Sequence, residues 1–107
     1  MGEGNPFAGE VALTLDGERH LLKLTLGALA ELEATLEANS LVALVDRFET
    51  GGFSARDVAA VLLAGLRGGG WRGQAATLLG AEIEGGPMEA TRVAALLLGR
   101  AFALPGR

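Results

Sequence analysis

Three sets of side chains in this sequence have types and spacing that could do chemistry. Gly68, Gly70 and Gly73 stand at G-x-G-x-x-G spacing. In dinucleotide-binding folds such glycines let the backbone approach a pyrophosphate, which rests on a helix N-terminus. That use needs a strand ahead of the glycines inside a βαβ unit. Here the apolar spacing ahead of them is helical, so the glycines read as a flexible helix-to-helix loop. His20 is the only histidine and cysteine is absent. A zinc ion would have to draw its other ligands from carboxylates, an uncommon set. Imidazole catalysis would need a positioned nucleophile, and no G-x-S-x-G or similar turn is present. Glu33 and Glu37 lie four apart on one helical face, and Glu82, Glu84 and Glu89 follow later. Paired carboxylates perform acid–base work only where a cleft separates their pKa values, so solvated faces are expected. No catalytic, cofactor-binding or metal-ligating residue is assigned, no cofactor is expected, and the chain is not expected to be an enzyme.

Arg67-Gly68-Gly69-Gly70-Trp71-Arg72-Gly73 places two arginines around the single tryptophan in a glycine-rich loop. Trp and Arg are enriched where protein partners bind most tightly, and an exposed indole can also stack a base. The simpler reading tucks Trp71 onto the helical core and leaves both arginines in water. Phe53, Arg67, Trp71 and Arg72 are the candidate partner-binding residues.

Composition narrows the classes. Half of the 107 residues are hydrophobic and 21% are charged, enough to bury the core of one domain. Aromatics are 5%, so Leu, Ala and Val must fill that core. The net charge of −4 and the scattered Lys and Arg argue against nucleic acid as a partner. Without cysteine, disulfides and thiolate chemistry are excluded. Residues 1–6 lack the basic and apolar regions of a signal peptide. The longest apolar run, residues 58–66, falls well short of the roughly 20 residues a membrane span requires. A soluble cytoplasmic protein, not exported by the general secretory route and with no membrane partner, is expected.

The elements that must position these residues follow from periodicity and punctuation. Residues 1–9 are expected to form a flexible N-terminal arm, with Phe7 available to pin it. Residues 10–24 read as a β-hairpin: Val11, Leu13 and Leu15 alternate with Ala12 and Thr14, and Asp16-Gly17 is a strong two-residue turn signal. Thr25 is a plausible N-cap for a helix over 26–38, with Leu29, Leu32 and Leu36 on one face. Asn39-Ser40 breaks and recaps the chain. Leu41, Leu44, Val45 and Phe48 form the next stripe, closed by Gly51-Gly52. Ser54 starts a third helix, with Asp57 favouring its first turn and Val58, Val61, Leu62 and Leu66 buried. That helix is apolar over most of its circumference, which predicts a central position. A weak helix is expected over 74–84, closed by Gly85-Gly86. Pro87 suits N1 of a last helix lined by Ala90, Val93, Ala94, Leu97 and Ala101, and Leu104-Pro105 ends it. The predicted class is α+β, mainly α: an N-terminal β-hairpin packed on a bundle of four to five short helices. A lone hairpin is marginal in water and needs the helices to cover it. A helix-turn-helix over the second and third helices is disfavoured, because after Ser54-Ala55-Arg56-Asp57 the third helix turns apolar and offers little to base edges.

Two blocks carry a resemblance. Glu10-Val11-Ala12-Leu13-Thr14-Leu15-Asp16-Gly17, followed by Leu24-Thr25-Leu26-Gly27-Ala28-Leu29-Ala30-Glu31-Leu32-Glu33, resembles the opening of the tail-assembly chaperone family of gene transfer agents and tailed phages, also described as gene transfer agent tail tube proteins. Phe53-Ser54-Ala55-Arg56-Asp57-Val58 through Ala64-Gly65-Leu66-Arg67-Gly68-Gly69 is similar to its middle. The resemblance implies a single tail-assembly-chaperone-like domain over residues 10–104. It implies a non-enzymatic protein that binds the tape-measure protein and recruits tail tube subunits, associated with assembling phage-like particles. A homo-oligomer is a further candidate state. The alternative is a structural tail tube or connector component, although a tube ring normally needs several long strands and this chain offers one hairpin.

Overall fold

The computed structural model describes residues 9–36 and 40–102. Strands β1 (Val11–Leu15) and β2 (Glu18–Leu22) form an antiparallel hairpin. Five helices follow: α1 (Leu26–Thr35), α2 (Leu41–Thr50), α3 (Ala55–Gly68), α4 (Ala75–Gly80) and α5 (Gly86–Ala101). The class is therefore α+β and mainly helical, as expected. The N-terminal arm (Gly9 apart), Glu37 of the carboxylate pair, Asn39 and Leu104-Pro105 lie outside the described residues.

The hairpin turns where both central residues take positive φ, 50° at Asp16 and 82° at Gly17. Those are the angles of the mirror-image turn whose twist matches paired strands. Val11, Leu13 and Leu15 of β1 and Leu22 of β2 point into the core, and Arg19 and Leu21 face out. Helix starts fall at the expected caps. The side chains of Thr25, Ser40 and Ser54 accept hydrogen bonds of 3.1 Å from the amides of Ala28, Ala43 and Asp57. Each satisfies a donor that the first turn leaves without a partner. Gly51 closes α2 at φ 84°, in the left-handed region.

The centre of the molecule is α3, which packs against α1, α4, α5 and β2. Val61 and Leu66 are fully buried there, in one core with Leu97 and Val93 of α5 and Leu32 of α1. Helix α2 is more sparsely attached. Its Leu44 is fully buried, which contributes about 1.5–3 kcal/mol, Leu41 and Val45 pack beside it on the core, and further side chains reach the start of α3.

The glycines after α3 do more than stop it. A Cβ on Gly68 would lie 1.9 Å from the Lys23 carbonyl oxygen, and one on Gly69 would lie 2.0 Å from that of Leu21. One turn earlier, a Cβ on Gly65 would meet Leu97 Cδ1 at 2.7 Å and Leu22 Cβ at 3.2 Å. The Gly65 carbonyl accepts a 2.9 Å bond from the Lys23 amide. Gly65, Gly68 and Gly69 thus form the seat on which β2 rests, a close approach only glycine permits.

The reading of residues 74–86 is corrected. The helix expected over 74–84 ends at Gly80, and Ala81 is extended, with φ −80° and ψ 152°. Residues 82–84 then run antiparallel to β1 on the edge away from β2. Ile83 bridges Leu15, the Asp16 amide donates to the Glu82 carbonyl at 2.8 Å, and the Glu84 amide donates to the Thr14 carbonyl at 3.0 Å. The Asp16 carboxylate accepts a 2.9 Å bond from the Glu82 amide. Pairing with a distant strand edge outweighs the weak helical preference of this segment, and β-branched Ile83 suits it. Gly85-Gly86 does not close a helix. It opens α5 at φ 92° and 71°, with Pro87 in the first turn.

Candidate partner-binding surface

The residues singled out for partner binding do not form one cluster. Phe53 lies just ahead of α3, and Arg67 lies in its last turn, a separation of about 20 Å along the helix. Phe53 is half-buried and stacked on Phe48 of α2, with ring centroids 4.8 Å apart and planes 12° from parallel. Trp71 is half-buried against the core and meets His20 edge-on, with centroids 6.5 Å apart. The indole also covers Gly73, where a Cβ would fall 2.1 Å from Trp71 Cζ2. The Trp71 amide donates to the Leu66 carbonyl at 2.9 Å, and the Gly70 amide donates to that of Arg67 at 3.0 Å. The loop is thus hydrogen-bonded and packed around its tryptophan. Arg67 and Arg72 are exposed.

The other groups weighed for chemistry have structural placements. A helix precedes the G-x-G-x-x-G glycines, and the short α4 follows them. His20 Nε2 lies 3.7 Å from the exposed Glu18 carboxylate, on the core-facing side of β2. Glu89 takes two hydrogen bonds from Arg92, at 2.9 and 2.7 Å, and this contact pulls its pKa below the ordinary carboxylate value. Glu33, Glu82 and Glu84 are exposed. Among the described residues, no group of three or more His, Asp or Glu side chains could hold a metal ion. Among the same residues, no helix is long and apolar enough to cross a membrane.

The concave surface lies elsewhere, on either side of α4. One groove of about 390 Å³ has α1 and α4 as walls and the outer face of α3 as floor. Ala59, Ala60 and Leu63 make that floor, and Leu32 and Leu78 rise on the walls. Arg56 and Arg67 line it from positions eleven residues apart on α3, which is three turns, about 16 Å along one face. Neither arginine has an ion pair or side-chain hydrogen bond with the described residues. Glu31 on α1 is the one acidic side chain in the lining. A second groove of about 520 Å³ lies between α3, α4 and α5 and includes Phe53, Leu62, Ile83 and Pro87. Leu79 of α4 is 71% exposed and stands between the two grooves.

Sequence reasoning passed over this surface. It read α3 as apolar over most of its circumference and therefore central, which it is, and the flank carrying Ala59, Ala60 and Leu63 is only partly covered. The signal was Arg56 and Arg67 in register on a small-residue face. Only the placing of α1 and α4 shows that this face borders a groove.

A comparison with family models finds a match to one described as phage tail tube protein, GTA-gp10, over residues 8–104. No curated protein and no solved structure matches the chain. With nearly the whole sequence matched, from the hairpin through α5, the chain belongs to the gene-transfer-agent tail protein family that carries that description.

Proposed function

We propose that this protein acts without catalysis, by binding other proteins of a phage-like tail during particle assembly in the bacterial cytoplasm. The observation that carries this reading is the family match over residues 8–104. The family's description names a tail tube protein, so of the two finer roles it favours a structural subunit of the tube or its connector. A copy of this chain then stays in the finished particle, next to tube subunits.

The second role is a tail-assembly chaperone that holds the tape-measure protein and recruits tube subunits. A specific observation favours it: the sheet is one hairpin with a short bridging segment, whereas two apolar grooves flank α4. Helical partners fit such grooves, and a long tape-measure helix needs apolar cover before assembly. Phe53, Arg67, Trp71 and Arg72 remain proposed contact residues in either role, and self-association is compatible with both.

Purified particles separate the two. Mass spectrometry of particles freed of unassembled protein finds the chain in stoichiometric amount if it is structural, and lacks it if it is a chaperone. Co-expression with the neighbouring tail proteins recovers at least one of them under both. Recovery of none, together with absence from particles, overturns the reading as a whole.

A further inference from the structure

We propose that the groove between α1, α3 and α4 receives one amphipathic helix of a partner protein, with a small apolar face and two carboxylates about three turns apart. The inference rests on the reading that this chain works by binding other proteins. It adds the surface and the chemistry of what that surface takes.

Every wall of the groove is helical, so apart from the first-turn amides of α3 and α4 at its ends, its backbone donors and acceptors are spent within α1, α3 and α4. An extended segment laid there would find no backbone partners along its length, whereas a helix brings its own satisfied. The floor of Ala59, Ala60 and Ala64 keeps side-chain height low, so a helix can approach closely, with Leu63 to interdigitate. Leu79 extends the apolar wall at the rim and is otherwise left in water.

Charge complementarity selects the occupant. The chain carries a net charge of −4, yet the charged lining is two arginines against Glu31. Arg56 and Arg67 mark the two ends of the floor on one line of α3, and neither is occupied by a described carboxylate. Arginine forks grip carboxylates by paired hydrogen bonds, so these two set both the charge and the spacing of the ligand. The groove on the other side of α4 has no charged side chain in its lining and imposes no such register.

The test uses the full chain and synthetic amphipathic Ala/Leu helices with two Glu residues at i and i+11, labelled for fluorescence anisotropy. Controls carry the Glu pair at i and i+7, or two Lys at i and i+11. The i+11 Glu peptide is expected to bind at least tenfold more tightly than either control. R56E/R67E, two surface changes, is expected to lose that binding and to prefer the Lys peptide, with its circular dichroism unchanged. Equal binding of the Glu peptide to both proteins, or binding to neither, overturns the proposal. So does a dimer of the unmutated chain by light scattering that R56E/R67E disperses, since a second copy then fills the groove. Failure to recover any tail protein on co-expression would sink the general reading instead, and leaves the peptide result standing by itself.

Discussion

Arg47 of α2 holds Asp57 of α3 fork to fork, with Nε to Oδ2 and Nη2 to Oδ1 both at 2.9 Å. The same Asp57 carboxylate accepts the Ser54 amide at 3.0 Å, while the Ser54 hydroxyl accepts the Asp57 amide at 3.1 Å. One largely buried carboxylate therefore caps α3 and ties α2 to it. Phe48 on Phe53, the buried Leu44, and Leu41 and Val45 against the core add to α2's attachment.

Replacing Asp57 by Ala removes the carboxylate half of the reciprocal cap, leaving the Ser54 half in place, and strands the guanidinium. A loss of about 1–3 kcal/mol is expected from cap and charged hydrogen bond together, read as a lower midpoint in urea. Ser54→Ala removes one half of the reciprocal cap and should cost about 1 kcal/mol. Arg47→Met should lower the midpoint less than Asp57→Ala, because the cap survives. A larger effect of the arginine change would place the weight on the α2 tie instead.

The same carboxylate makes stability depend on pH. Hydrogen bonding from Arg47, above all, holds the Asp57 pKa below its ordinary value, against the opposing effect of burial. A group whose pKa is depressed in the folded state is deprotonated there while the unfolded chain still binds a proton. Its contribution is complete above the unfolded value, near 4, and is lost as pH falls through the folded one. Glu89, depressed mainly by Arg92, adds in the same direction. Urea midpoints should therefore drop as pH falls below about 4, and Asp57→Asn should flatten that drop. An unchanged slope in the variant would show that the loss comes from other carboxylates.

Two glycine-to-alanine changes should move stability in opposite directions. At Gly68 the new methyl runs into the Lys23 carbonyl, a backbone atom that cannot swing aside, so a loss of about 1–3 kcal/mol or more is expected. At Gly99, exposed within α5 with nothing within 4 Å of an added Cβ, alanine should gain up to about 1 kcal/mol from helix propensity. Thermal melts of the two variants side by side check both signs. Equal shifts would mean that β2 does not press on α3 as described.

Glu84→Pro removes the amide that donates to Thr14. Glu84 is exposed, so its side chain carries little of the outcome. Loss of the ladder bond should raise hydrogen exchange at Asp16, whose amide bonds the Glu82 carbonyl, before it unfolds the helices. Protection at Asp16 equal to that of the parent chain would argue against the bridging segment.

Local signals carried most of the architecture into the sequence. Asp16-Gly17, the caps Thr25, Ser40 and Ser54, and Gly51 each act within four residues, and each stands where its residue type predicts. Long-range relations were not legible. Nothing near Ile83 says that Leu15 waits as a pairing partner, so the segment after α4 read as more helix. Gly68 and Gly69 read only as part of a flexible loop that ends the helix, because the strand that they and Gly65 seat lies some 45 residues away in the chain. Asp57 was placed in the first turn of α3, yet its partner Arg47 sits across a bend on another helix. The candidate surface was legible only in part: Arg67 was named, while Arg56 and the alanine floor needed the walls to give them meaning.

The bridge between residue 83 and residue 15, with the Arg100 contact to the Glu10 carbonyl at the other end of β1, also sets when the domain can be finished. A nascent chain that has emerged only through α3 still has a bare outer edge on β1 and no α5 to lean on. Native closure must wait until α5 has been made, since contacts so far apart in order form late. Late nonsense mutations thus take away the keystone of the first strand, and tags or fusions are safer beyond the final helix than between α4 and α5.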